Sequence, residues 1–229
     1  RKATADDLPA LTALRCGAAK AGPVDAAGWL QNVAGLENIL VLEKSGQPAA
    51  MLAAVPVKYG QHRGVWLCGA AGVQGVPMDR LLPKIMEGCL RAYGASGFDF
   101  AVTTPDDARR AEDLKTLGFK SQLPLRVIQT PIRRDLLAQA SFDSLTVHKL
   151  LEMRHIYQPG CITLPESAMN EIMTQLYRRG LTVVSNRRGY GLYYTSGDTL
   201  QFLELQADND HCADRLLQAA RERPAQWSL

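Results

Sequence analysis

Few residues in this sequence are of the kind that does chemistry, and they are scattered. Cys68 lies in an apolar run, where a thiol can act as an acid or carry an acyl group. Its plainer role is that of a small buried hydrophobe. His62 falls in a turn, where an imidazole is solvated but can still act as a base. His148 and His155 are seven residues apart, two helical turns, so they share one face. Lys149 and Arg154 beside them make that face read as solvated. Glu204 is a lone carboxylate in the apolar strand 200–205. Turned inward it would need a partner and could bind an amine; strand alternation makes an outward Glu204 the simpler reading. Tyr190, Tyr193 and Tyr194 either line a groove or pack as strand aromatics. Gly72 and Gly75 bound a turn whose backbone could approach a ligand, although such glycines serve tight turns equally well.

The elements that must hold these residues follow from periodicity and turn chemistry. Leu8, Leu11 and Leu14 recur at helical spacing after a short N-terminal edge strand, and 26–34 reads as a second short helix. Strands are expected over 39–43, 49–57 and 64–71, joined by tight turns into an antiparallel meander. The period then changes. Leu81, Leu82, Ile85, Met86, Cys89 and Leu90 make one apolar helix stripe that ends in the glycines at 94–97. A strand over 98–104, stopped by Pro105, a helix over 106–117 closed by Gly118, and an extended segment over 119–130 follow. The remainder reads as helices 144–157 and 165–180, strands 181–185, 190–194 and 199–206, and a helix over 208–221. Hairpin strands followed by alternating helices indicate an α+β fold with a mixed, largely antiparallel sheet.

Composition narrows the function classes. The 229 residues are 46% hydrophobic and 21% charged, enough for a sizeable core. Nineteen Gly and twelve Pro without a period exclude a collagenous or low-complexity chain. The net charge of +3 comes without any run of basic residues, which argues against nucleic acid as a partner. No apolar run reaches the about 18–20 residues that span a bilayer, so no membrane partner is expected. The five cysteines form no C-x-x-C pair or His/Cys cluster, which argues against zinc. Reduced thiols fit a cytoplasmic protein, and a homo-oligomer is left open.

In its element order the sequence resembles the Gcn5-related N-acetyltransferase (GNAT) superfamily. The stretch from Leu42 to Met51 resembles the hairpin of that family's second and third strands. Residues 66–75 followed by Leu81 and Leu82 take the place of its fourth strand, pyrophosphate loop and long helix. Residues 97–100, leading to Leu117-Gly118-Phe119, resemble its fifth strand and the helix after it. The likeness covers residues 1–130, and 131–229 resembles a second, reduced unit of the tandem kind, with Gly189–Tyr194 and 199–206 as a strand pair.

The resemblance implies transfer of an acetyl or other acyl group from acyl-CoA to the amine of a small molecule or peptide. It places Gly69, Ala70, Ala71, Val73, Gln74, Gly75 and Val76 against the donor, with the backbone near 69–71 polarising the thioester carbonyl. It also sharpens two departures. The family's loop, Gln/Arg-x-x-Gly-x-Gly/Ala, would start at Gln74, but Pro77 then offers no N–H and Asp79 brings a carboxylate toward phosphates. Leu114 stands where many members carry the Tyr that reprotonates the departing thiolate. A non-catalytic binding protein of the same fold is the alternative.

Overall fold

A computed structural model describes residues 1–105, 108–120, 127–132, 138–158 and 160–222. By compactness the chain divides into Arg1–Pro124 with Ile162–Ile172, and Leu125–Cys161 with Met173–Leu229.

The first unit is built on the meander. β1 (Ile39–Lys44), β2 (Gln47–Tyr59) and β3 (His62–Gly72) pair antiparallel in sequence order. Ser45 and Gly46 both have positive φ, 54° and 75°, the geometry of the two-residue turn that matches strand twist. β2 is buried almost without interruption from Ala49 to Val57, because both faces of the sheet are covered. Its alternation divides the core in two. Met51, Ala53 and Val55 pack with Leu11 and Leu14 of α1 (Leu8–Ala19) and with Trp29 and Leu30. Leu52 and Ala54 pack with Leu82, Met86 and Cys89 of α3 (Met78–Ala95) and with Leu114 of α4 (Ala108–Thr116).

Local chemistry explains the remaining shapes. Pro23 opens α2 (Pro23–Gly28), and the chain then winds into a π-helical turn, Trp29–Ala34, where the expected second helix was a single one. Trp29, Leu30, Val33 and Ala34 are all buried by that turn. The expected N-terminal edge strand is reduced to one antiparallel bridge, Lys2 with Leu40. β4 (Phe100–Val102) is shorter than the expected 98–104 and lies parallel to β3. A side chain at Gly64 would collide with the Phe100 ring, so glycine permits this pairing. Gly118, at φ 88°, closes the turn after α4, with the Phe119 N–H donating to the Leu114 carbonyl at 3.1 Å. Of the extended segment expected over 119–130, residues 127–130 form no strand and 121–126 lie outside the described residues.

The second unit holds its own antiparallel sheet, β5 (Thr182–Asn186), β6 (Gly189–Ser196) and β7 (Thr199–Ala207). α7 (Asp210–Glu222) packs Leu216, Ala219 and Ala220 on Val184 and Tyr193. α5 (Val147–Tyr157) is capped by Thr146, whose hydroxyl accepts from the Lys149 N–H at 3.2 Å. The division between units falls inside α6 (Glu166–Arg178). Among the described residues no helix is long and apolar enough to cross a membrane, and no group of three His, Cys, Asp or Glu could hold a metal ion.

Candidate active site

The site grows from the way β3 leaves its neighbour. Only Gly64–Trp66 pair with β4. Thr103 then donates its hydroxyl to the Leu67 carbonyl at 2.8 Å, and from there to Gly72 the outer edge of β3 has no strand partner among the described residues. The parting strands leave a cleft of about 370 Å³. Trp29, Arg15 and Ala18 line it on the α1 side; Leu82, Met86, Leu114 and Arg110 line it on the side of α3 and α4.

A bulge shapes the wall between. Met51 pairs with Ala71 but Ala53 pairs with Cys68, so β3 carries one residue more than β2 over this stretch. Gly69 absorbs it at φ 64°, where a side chain would be strained and would also run into the Trp29 ring. Gly69 and Ala70 both line the cleft.

Past Gly72 the loop is tight and exposed. The Val73 N–H donates to the Ala49 carbonyl, that of Val76 to Val73, and that of Met78 to Val76. The N–H groups of Gln74 and Gly75, the latter at φ 84°, make no backbone hydrogen bond among the described residues and precede the N-terminus of α3. Pro77 caps that helix, its carbonyl accepting from Arg80 and Leu81. Asp79 is not left as a bare charge, since Arg109 of α4 pairs with it at 3.5 Å.

The other candidates fall outside the cleft, Cys68 excepted. Cys68 lines it, but burial pushes its thiol up to about 12, with Arg15 offsetting only part of the effect. Such a thiol is neither a nucleophile at neutral pH nor a ready donor to a departing thiolate. His62 is exposed on its turn, 3.7 Å from Asp99. His148 and His155 face solvent, His148 beside Glu152 at 3.3 Å. Tyr190 and Tyr193 are fully buried and line no groove: Tyr193 stacks on Phe202, and Tyr194 donates weakly to the Leu176 carbonyl.

Glu204 departs from the simpler expectation by pointing inward. A second bulge, where Leu192 pairs with Glu204 but Tyr193 with Phe202, makes Leu203 the extra residue of β7 and leaves it half exposed. The slip turns Glu204 off the face that carries Phe202 and toward α5. Arg154 donates to Glu204 through Nε at 3.1 Å and Nη2 at 2.6 Å, and the Tyr190 hydroxyl donates to the same carboxylate. Burial and this carboxylate push the Tyr190 phenol well above its ordinary value. Glu204 is therefore a structural ion-pair residue of the second unit, and no amine site is assigned to it.

A larger cavity of about 430 Å³ lies between β1 and α3. It is mostly apolar, and of its lining Cys89 is pushed up to about 11 by burial while the Tyr93 hydroxyl is engaged with the Ala54 carbonyl at 3.2 Å. The splayed cleft differs from it in presenting a backbone edge of β3.

Sequence reasoning missed Arg15, Trp29, Thr103 and Arg110 at the cleft. The signal for Arg15 is present, because it is the only charged residue in the helix LPALTALRCGAA.

No family model matches the sequence, and a search of curated proteins found no match. Solved structures do match. A GCN5-related N-acetyltransferase from Kribbella flavida aligns over 98% of this chain and 62% of its own, at 16% identity and a TM-score of 0.61. A GCN5-related N-acetyltransferase from Anabaena variabilis aligns over 95% of this chain and 60% of its own, at 13% identity and a TM-score of 0.65. The chain thus spans about three fifths of the length of these relatives. With the splayed strands, the bulge and the loop-to-helix step already in place, this chain has the fold of the Gcn5-related N-acetyltransferases.

Proposed function

We propose that the chain is an N-acyltransferase that moves an acetyl or other acyl group from acyl-CoA to the amine of a small molecule or peptide. The observation that carries this reading is the parting of β3 from β4, which leaves Leu67–Ala70 of β3 lining a cleft without a strand partner among the described residues. An extended, amide-bearing chain such as the pantetheine arm can pair with such an edge as an added strand. In this reading Gly69, Ala70 and Ala71 hold the acyl end, and their backbone polarises the thioester carbonyl. Val73, Gln74, Gly75 and Val76 receive the pyrophosphate beside the α3 N-terminus, the Gln74 and Gly75 N–H groups being the available donors. The amine nitrogen attacks the carbonyl carbon and the carbon–sulfur bond breaks, its electron pair leaving on sulfur. In this reading water takes the amine proton and returns one to the thiolate, and the described cleft lining holds no Asp, Glu, His or Tyr. Acceleration then rests on proximity and carbonyl polarisation. Residues 131–229 are read as a second, reduced unit of the same fold, a reading supported by the β5–β7 meander with α7 against it.

Calorimetric titration of acetyl-CoA and CoA, followed by thiol release with a panel of amines, tests the proposal. Micromolar binding with amine-dependent thiol release is the expected result, and no binding at millimolar ligand would sink it. Leu114, a residue that transfers no proton, favours the second reading of a non-catalytic GNAT-fold binding protein. Binding without thiol release across the panel is that reading's signature.

A further inference from the structure

We propose that Arg15 receives a carboxylate carried by one of the two substrates, next to the reacting thioester. The inference rests on the acyltransferase reading and names the substrate chemistry of the same cleft.

Three observations lead to it. Arg15 is a half-buried cation in a helix that is otherwise uncharged, and it lines the cleft. Among the described residues no Asp or Glu pairs with it or lines the cleft, where the charged groups are Arg15 and Arg110. Its guanidinium carbon sits 3.9 Å above the Trp29 ring, which supports the flat group and leaves its in-plane N–H donors for another partner. Trp29 is itself fixed by the π-helical turn and by contact with Gly69. Burial pulls the guanidinium below its usual value. A carboxylate matches the fork of donors, two oxygens to two N–H groups.

Position favours the acceptor as the source. Arg15 stands on the α1 side of the sheet, over Trp29, which packs in the same core as Cys68. The donor's loop leads into α3 on the opposite side, with Leu82 and Met86. A donor laid along β3 from that loop therefore leaves the α1 mouth to the acceptor. An amine bearing a nearby carboxylate, such as a free amino acid, fits this mouth.

The experiment compares leucine with leucinamide as acceptors for acetyl-CoA, in the intact chain and in Arg15→Gln, with thermal melting as the check on folding. The kcat/KM ratio of leucine to leucinamide should be about tenfold or more and should fall toward one in Arg15→Gln, with partial recovery in Arg15→Lys. A ratio that does not move, together with unchanged relative turnover of succinyl-CoA, overturns the proposal. Succinyl-CoA with leucinamide is the other arm. Should Arg15→Gln cut turnover of succinyl-CoA relative to acetyl-CoA while the leucine ratio stays put, the carboxylate belongs to the acyl group. Failure of the transferase reading is seen separately, as absent acetyl-CoA binding in the unmodified chain. In that event N-acetyl-leucine is titrated without CoA: tenfold weaker binding to Arg15→Gln supports the carboxylate site, and equal binding overturns it.

Discussion

The ring of Trp29 occupies the space that a side chain at Gly69 would need. Forty residues apart in sequence, the two depend on each other. The bulge in β3 needs a residue at positive φ, and the Trp29 ring can take its place only because that residue has no Cβ.

Gly69→Ala is therefore expected to cost about 2–4 kcal/mol, from the left-handed backbone and from the clash with Trp29. Urea unfolding measures the loss. In the double variant with Trp29→Ala the steric part should vanish and the backbone part remain. Strictly additive losses would show that the two residues are not coupled.

The loop makes a separable prediction. Gly75→Asp should weaken CoA binding about tenfold or more by placing a carboxylate against the phosphates, while pantetheine, which lacks them, binds as before. Pro77→Gly supplies an N–H at the helix start and should tighten CoA. Equal effects on CoA and pantetheine would move the phosphate site away from residues 73–76.

Acyl transfer should show no enzyme ionisation in its pH profile. With water as the proton carrier, kcat/KM rises with pH and levels off at the pKa of the acceptor amine, about 8 for an α-amino group. A bell-shaped profile with a limb near pH 6–7 would reveal an acid or base outside the cleft lining.

In the second unit, Glu204→Gln should cost about 3 kcal/mol by removing the carboxylate charge that faces Arg154. The figure sits low in the range for buried pairs because a quarter of the Arg154 side chain reaches water. Tyr190→Phe, which removes one hydrogen bond, should cost about 1 kcal/mol. Both are read by chemical denaturation. A Glu204→Gln loss no larger than that of Tyr190→Phe would mean that the ion pair contributes nothing.

Asp7 supplies an acid-side prediction. It accepts from Arg1 through Nη1 at 2.6 Å and Nη2 at 2.9 Å, and from the Thr4 N–H at 2.7 Å. The Arg1 guanidinium, with Thr4, holds its carboxyl well below the usual range. The folded form thus binds a proton later than the unfolded one. The stability this provides is complete above about pH 4 and is lost progressively as pH falls below that value. Asp7→Asn should flatten this part of the stability–pH curve. An unchanged slope would exclude Asp7 as its source.

The meander, the apolar stripe of α3 and the Leu117-Gly118-Phe119 ending were legible because each rests on a local rule. Turn glycines, helical spacing and a left-handed cap are properties of neighbouring residues. What was not legible depends on slips and on distance. Alternation along β7 could not reveal that Leu203 bulges out and turns Glu204 toward Arg154, fifty residues earlier. Residues 98–104 carry enough strand character for a long β4, yet Thr103 leaves the ladder to bond the Leu67 carbonyl, and that departure makes the cleft. The departures at Pro77 and Leu114 were visible as residue types, but the pairing of Asp79 with Arg109 needed the fold.

The bare stretch of β3 also sets how the molecule would respond to filling. A sheet that stops halfway along one of its own strands is finished by whatever lies down beside it, so a donor seated there acts as a removable fifth strand. Amide hydrogens along that half-strand would exchange freely in the empty protein and slowly in the filled one. Occupancy would then register as a rise in melting temperature with donor concentration.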